Sequence, residues 1–142
     1  MSLEQNKAIV RRHMEGLDRR IVDTAAAECA PNAIWYGFGS SALNEAGWRG
    51  AIAGFLSGFP DSRFATDAVI AEGDLVAVRH SFHGTHNGVF QGIPPTGKLV
   101  AVPTIVIFRL ADGKIVETWL NADLLGLMMQ IGAVPAPDPQ GL

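Results

Sequence analysis

The stretch "LVAVPTIVIFRLADGKIVETWLNA", residues 99–122, constrains the fold most. Two runs rich in Val, Ile and Thr are joined by Ala111-Asp112-Gly113-Lys114. β-branched residues pack well on a pleated, half-buried surface. Asp-Gly supplies the positive φ angles of a tight hairpin turn. The stretch therefore reads as a β-hairpin. Upstream, residues 62–72 and "LVAVRHSFHG" (75–84) repeat the pattern around Glu72-Gly73-Asp74, a turn signal. "GIPPTG" (92–97) reads as the loop before the third strand. Four successive strands with short connections make an antiparallel meander.

The first third has a helical period. Ile9, Val10, His13, Met14 and Leu17 recur at helical spacing over 3–18. A second helix is expected over 19–29, ending before Pro31, and "AIWYG" (33–37) reads as a short strand. Asn44 can cap a third helix that carries Trp48, Ile52, Phe55, Leu56 and Phe59 on one face. Asp123 can cap a last one, "LLGLMMQI", with Gly132 at its end. Helices, then a meander, then a closing helix make an α+β fold with helices on one side of a sheet. One domain is expected over 1–142, with a loose proline-rich tail from about 133.

Both faces of the strands carry apolar residues, whereas a sheet with one wet face alternates cleanly. Helices cover one face, so a homodimer through the outer face is expected. A net charge of −3 speaks against nucleic acid, which needs a basic surface. No apolar run reaches the ~18 residues of a membrane span, and the start lacks the layout of a signal peptide. The lone Cys29 excludes an internal disulfide and reads as a small buried residue of an alanine-rich helix. A cytoplasmic location follows as the default.

The segments "FPDSRFATDAVIAEGDLVAVRHSFHGTHNGVFQGIPPTGKLV", "IFRLADGKIVETW" and "DLLGLMMQIG" resemble the SnoaL-like polyketide cyclases, within the nuclear-transport-factor-like superfamily. The resemblance covers about residues 5–133. It implies a cone-shaped domain whose strongly curved antiparallel sheet and N-terminal helices enclose an apolar pocket, closed by a short C-terminal helix. It also implies cofactor-free ring closure by proton transfer, with an aspartate at the position of Leu120 and a histidine or acid at that of Val106. Both are apolar here and cannot move a proton. The related limonene-epoxide hydrolases use an Asp–Arg–Asp trio, whose positions fall at Ser81, Arg79 and Leu120. Only the arginine is matched.

On that superposition Ala77, Arg79, Ser81 and His83 face the pocket and His80 the outer surface. His83 is then the expected base and Arg79 the expected oxyanion partner. His80 is expected beside Phe82 and Trp119 on the dimer face, and His13 as a core or surface residue. His80 and His83 are three apart, so on a strand they point opposite ways and suit no metal ion. Trp35, Phe55, Phe59, Ser81, His86, Phe90, Thr104, Val106, Thr118, Leu120 and Met128 are expected around the pocket. Asn121 and Asp123 could add a polar group if turned inward. The expected function is a cyclase, isomerase or lyase without cofactor or metal, acting on a small hydrophobic oxygenated molecule. The alternatives are a non-catalytic binder of such molecules and a dimerisation module.

Overall fold

The computed structural model describes residues 1–137, so the last five residues of the expected tail lie outside the described part. The order is α1 (Leu3–Asp18), α2 (Val22–Ala26), β1 (Cys29–Tyr36), α3 (Glu45–Gly58), β2 (Arg63–Glu72), β3 (Leu75–Thr85), β4 (Leu99–Ala111), β5 (Lys114–Ala122) and α4 (Leu124–Gln130). β2 to β5 form the antiparallel meander. β1 joins the β5 edge in parallel, so the five strands lie in the order β1-β5-β4-β3-β2 and the sheet is mixed.

Local chemistry sets the elements. In α1, Ser2 Oγ accepts from the Gln5 amide at 3.1 Å and Gln5 Oε1 from the Ser2 amide at 2.8 Å, a reciprocal cap. Its buried face is the expected one: Ile9, Val10, His13, Met14 and Leu17. Asn44 Oδ1 caps α3 by accepting from the Gly47 amide at 2.9 Å. Asp112 and Gly113, with φ of 52° and 77°, make the two-residue turn between β4 and β5.

The second helix is shorter than its sequence suggests. It stops at Ala26, and Cys29, Ala30 and Pro31 belong to β1. Pro31 is tolerated because β1 is an edge strand, where a missing amide need not break a ladder. Cys29 is thus buried in a strand, not a helix, and burial pushes its thiol up to about 12.

Three register shifts bend the sheet: between Thr66 and Ala68 in β2, at Val116 of β5 opposite Arg109 and Leu110, and between Cys29 and Ile34 in β1. α1 lies across the concave side. Asp18 pins its C-terminal end to β2, accepting from Arg63 at 2.7 and 2.8 Å and from the Phe64 amide at 2.9 Å. The core between helices and sheet includes Val10, Trp35, Trp48, Phe59, Val76, Phe108 and Leu127. On the opposite, convex side Leu99, Ile105 and Ile70 are 78, 53 and 66% exposed, and the Tyr36 and Trp119 rings stack at 5.9 Å.

Candidate functional site

Strand alternation decides which residues can form a site. β3 pairs Val78 with Val106, His80 with Thr104 and Phe82 with Val102. All of these except Val78 border one cavity, and Val78 is buried in the core beside it. β5 adds Thr118, Leu120 and Ala122, β1 adds Trp35, and α1 adds His13, Met14 and Leu17. Trp48, Ile52 and Phe55 of α3 close the far wall. The cavity volume is about 70 Å³, several times the ~10–15 Å³ that one water needs.

The residues between these on β3 point the other way. Arg79 and His83 are exposed on the convex side, where they pair with Ile105 and Ala101. Ser81 lies there too, its hydroxyl donating to Asp67 at 3.4 Å. The expectation that Arg79, Ser81 and His83 face the pocket is therefore reversed, and so is the placing of His80 on the outer face. A slip of one residue in a strand alignment exchanges its faces completely, and the superposition on the epoxide-hydrolase trio is off by that step. A simpler signal finds the true face. Val76, Val78, His80 and Phe82 are the more apolar set, and apolar sets go inward.

Two of the four histidines reach the cavity. His80 is 5% exposed, and its Nδ1 has no hydrogen-bond partner among the described residues. Burial lowers its pKa from 6.5 to about 4, against the opposing pull of the Asp67 carboxylate. His13 is 2% exposed, with Nδ1 2.8 Å from the Ala25 carbonyl oxygen. Burial lowers its pKa too, against that hydrogen bond and the charge of Glu28. Both are neutral near pH 7. The carbonyl only accepts, so His13 carries its proton on Nδ1 and leaves Nε2 as a lone-pair acceptor. Trp35 Nε1 and Thr118 Oγ1 are buried without partners among the described residues.

The other expected pocket residues divide. Trp35, Phe55, Thr104, Val106, Thr118 and Leu120 line the cavity, with Val106 and Leu120 directly opposite each other. Phe59 and Phe90 stand one layer back, their rings 5.5 Å or less from those of Phe55, Phe82 and His86. His86 is not at the cavity mouth. It is fully buried and holds the 86–98 loop through Thr96, whose hydroxyl lies 2.9 Å from Nδ1. Met128 packs on the core from α4 without bordering the cavity. Asn121 is exposed on the convex face, and Asp123 caps α4 by accepting from the Gly126 amide at 2.9 Å. Neither turns inward.

A curved sheet, four helices and an apolar cavity holding neutral polar groups make this a pocket domain of the α+β class. The SnoaL-like polyketide cyclase profile matches residues 7–131, and the chain belongs to that family. A curated relative, the aklanonic acid methyl ester cyclase DnrD of Streptomyces peucetius, is 35% identical over 69 residues. That alignment takes in 49% of this chain and 47% of DnrD, so the chain spans about half the length of the curated relatives it matches. The fold overlays on AclR of Streptomyces galilaeus, a candidate hydroxylase, with TM-score 0.90 and 26% identity over 99% of this chain and 88% of AclR. It overlays on IdmH of Streptomyces antibioticus, a candidate polyketide cyclase, with TM-score 0.79 and 28% identity over 90% of this chain and 99% of IdmH. Among the described residues no helix is long and apolar enough to cross a membrane.

Proposed function

We propose that the protein is a cofactor-free cyclase or isomerase that moves a proton next to a carbonyl of a small hydrophobic, oxygenated molecule, with His80 as the base. One observation carries this reading: a neutral histidine inside an apolar cavity, with Nδ1 unpartnered. A histidine with a pKa of about 4 has about the proton affinity of an ordinary aspartate, ~3.9. His80 thus supplies the basicity that the family resemblance expects of the aspartate replaced by Leu120. Family membership supports the reaction class. The apolar walls support the substrate class, because they exclude water from the enolate as it forms.

The test is exchange of α-hydrogens in deuterated buffer, followed by proton NMR on 2-tetralone. The wild type accelerates exchange over buffer, and His80→Gln loses most of that acceleration. Equal rates in the two proteins would remove His80 from the chemistry. A second reading, a non-catalytic binding protein, is favoured by the apolar Val106–Leu120 pair in the middle of the cavity. Binding of 2-tetralone without exchange would select it. We also propose a homodimer through the convex face, supported by exposed Leu99, Ile105 and Ile70.

A further inference from the structure

The polar groups of the cavity fall into two places. His80 and Thr104 are cross-strand neighbours near one end. Four residues along β4 lies Phe108, opposite Thr118, which in turn pairs with Trp35 on β1. Four residues of strand span at most about 14 Å, at ~3.4 Å each. Above Phe108 lies His13, with ring centroids 5.4 Å apart. The His13 ring stacks on Trp48 at 5.7 Å, and Trp48 stacks on Trp35 at 4.9 Å and 8°. His13, Trp35 and Thr118 therefore belong to one end of the cavity, away from His80.

That end is unusual in what it leaves unpaired. Trp35 is 1% exposed and Thr118 is 3% exposed, yet Trp35 Nε1 and Thr118 Oγ1 have no partner among the described residues. Leaving a buried polar group without a hydrogen bond is unfavourable, so two in one place mark a subsite meant for something else. His13 adds a third group. Its Nδ1 proton is committed to the Ala25 carbonyl, so Nε2 can only accept. The set is one indole donor, one hydroxyl that donates or accepts, and one imidazole acceptor. Among the described residues no Lys or Arg borders the cavity.

We propose that this end is a second polar subsite, in which His13 Nε2 accepts from a neutral hydroxyl of the ligand while Trp35 Nε1 and Thr118 Oγ1 serve the same hydroxyl's oxygen. The inference rests on the cavity being the ligand site. It goes further in naming the group: an enol, phenol or alcohol, not a carboxylate. A carboxylate would put its lone pairs against that of Nε2, with no cation to offset its lost hydration. His13 here is a specificity-determining residue, and the hydrogen bond at the far side of its ring fixes which nitrogen carries its proton.

The test compares naphthalene, 1-naphthol and 1-naphthoate on the wild-type protein by calorimetry, with NMR of His13 Nε2 and the Trp35 indole proton. A purely apolar cavity would prefer naphthalene, because burying an unpaired hydroxyl is unfavourable. The subsite predicts instead that 1-naphthol binds about fivefold tighter than naphthalene and at least tenfold tighter than 1-naphthoate. Both NMR signals should move with 1-naphthol and stay still with naphthalene. His13→Asn keeps a donor for the Ala25 carbonyl but loses the Nε2 acceptor, and should bring the naphthol preference to unity or below. Thr118→Val removes a hydroxyl that bonds to nothing among the described residues, and should cut the preference about threefold. Naphthalene binding as tightly as 1-naphthol, or a preference unchanged in both variants, overturns the subsite and leaves the ligand cavity standing. Failure of all three probes to bind overturns both.

Discussion

Lowering the pH from 7.5 to 4.5 should destabilise the wild-type protein far more than a His80→Phe variant. In the folded chain the His80 pKa lies near 4, and in an unfolded chain near 6.5. Above 6.5 the imidazole is neutral in both states and the pH has no hold on it. Between 6.5 and 4 the unfolded state takes up a proton that the folded state refuses, so stability falls as pH falls. At ~1.36 kcal/mol per pH unit the full loss is on the order of 3 kcal/mol, and most of it has been reached at pH 4.5. Phe at position 80 fits beside Phe64, whose ring is 6.0 Å from His80, and it gives up no hydrogen bond at Nδ1. Its cost at pH 7.5 should stay below about 1.5 kcal/mol. His13 is depressed by burial in the same sense, but it is present in both proteins and cancels from the difference. Asp18 and Asp61, whose carboxyls are held below their ordinary 3.8, lose their stabilising effect only below that pH. Urea unfolding followed by circular dichroism at pH 7.5, 6.5, 5.5 and 4.5 reads the two curves. They should converge or cross as the pH drops. Parallel curves would mean that His80 titrates normally, and the buried neutral base would be lost with them.

Other outcomes follow from the same geometry. Arg79→Ala and His83→Ala alter groups exposed on the convex side; each should leave proton exchange intact and shift stability by no more than about 0.5 kcal/mol, which kinetics and urea unfolding check. Ile105→Lys places a charge in the centre of the exposed apolar face; sedimentation velocity should show a dimer for the wild type and a monomer for the variant, and a monomeric wild type would end the dimer proposal. Gly88→Ala drives a Cβ into the Ser57 carbonyl and strains the bond from the Gly88 amide to the Gly58 carbonyl, 3.0 Å long; the 86–98 loop should loosen, with about 1–3 kcal/mol lost and a lower melting temperature.

Sequence and tertiary structure divided the work unevenly. The helical stripe Ile9–Leu17, the Asn44 and Asp123 caps and the Asp112-Gly113 turn were all legible. Each depends on interactions within a few residues, where spacing and turn chemistry decide the outcome. The α+β class follows from their order, and the family follows from the motifs along the meander. The end of the second helix was not legible, because β5 takes Cys29–Tyr36 as a parallel partner and that partner lies about 80 residues away.

The candidate site was the least legible part. Alternation along β3 gives two sets of residues, and choosing the inner one needs the register with β4. A shift of a single residue separates a site built on Arg79 and His83 from one built on His80. His13 shows the same limit from a helix. Its spacing marks it as inward-facing, but nothing local says that Nδ1 donates to the Ala25 carbonyl and leaves Nε2 as an acceptor. The sequence by itself determined which elements form, how they follow one another and that the cavity would be apolar. Only the tertiary structure decided which histidines enter it and in what protonation state. Burial and hydrogen-bond partners set a side chain's charge, and both come from residues far away along the chain.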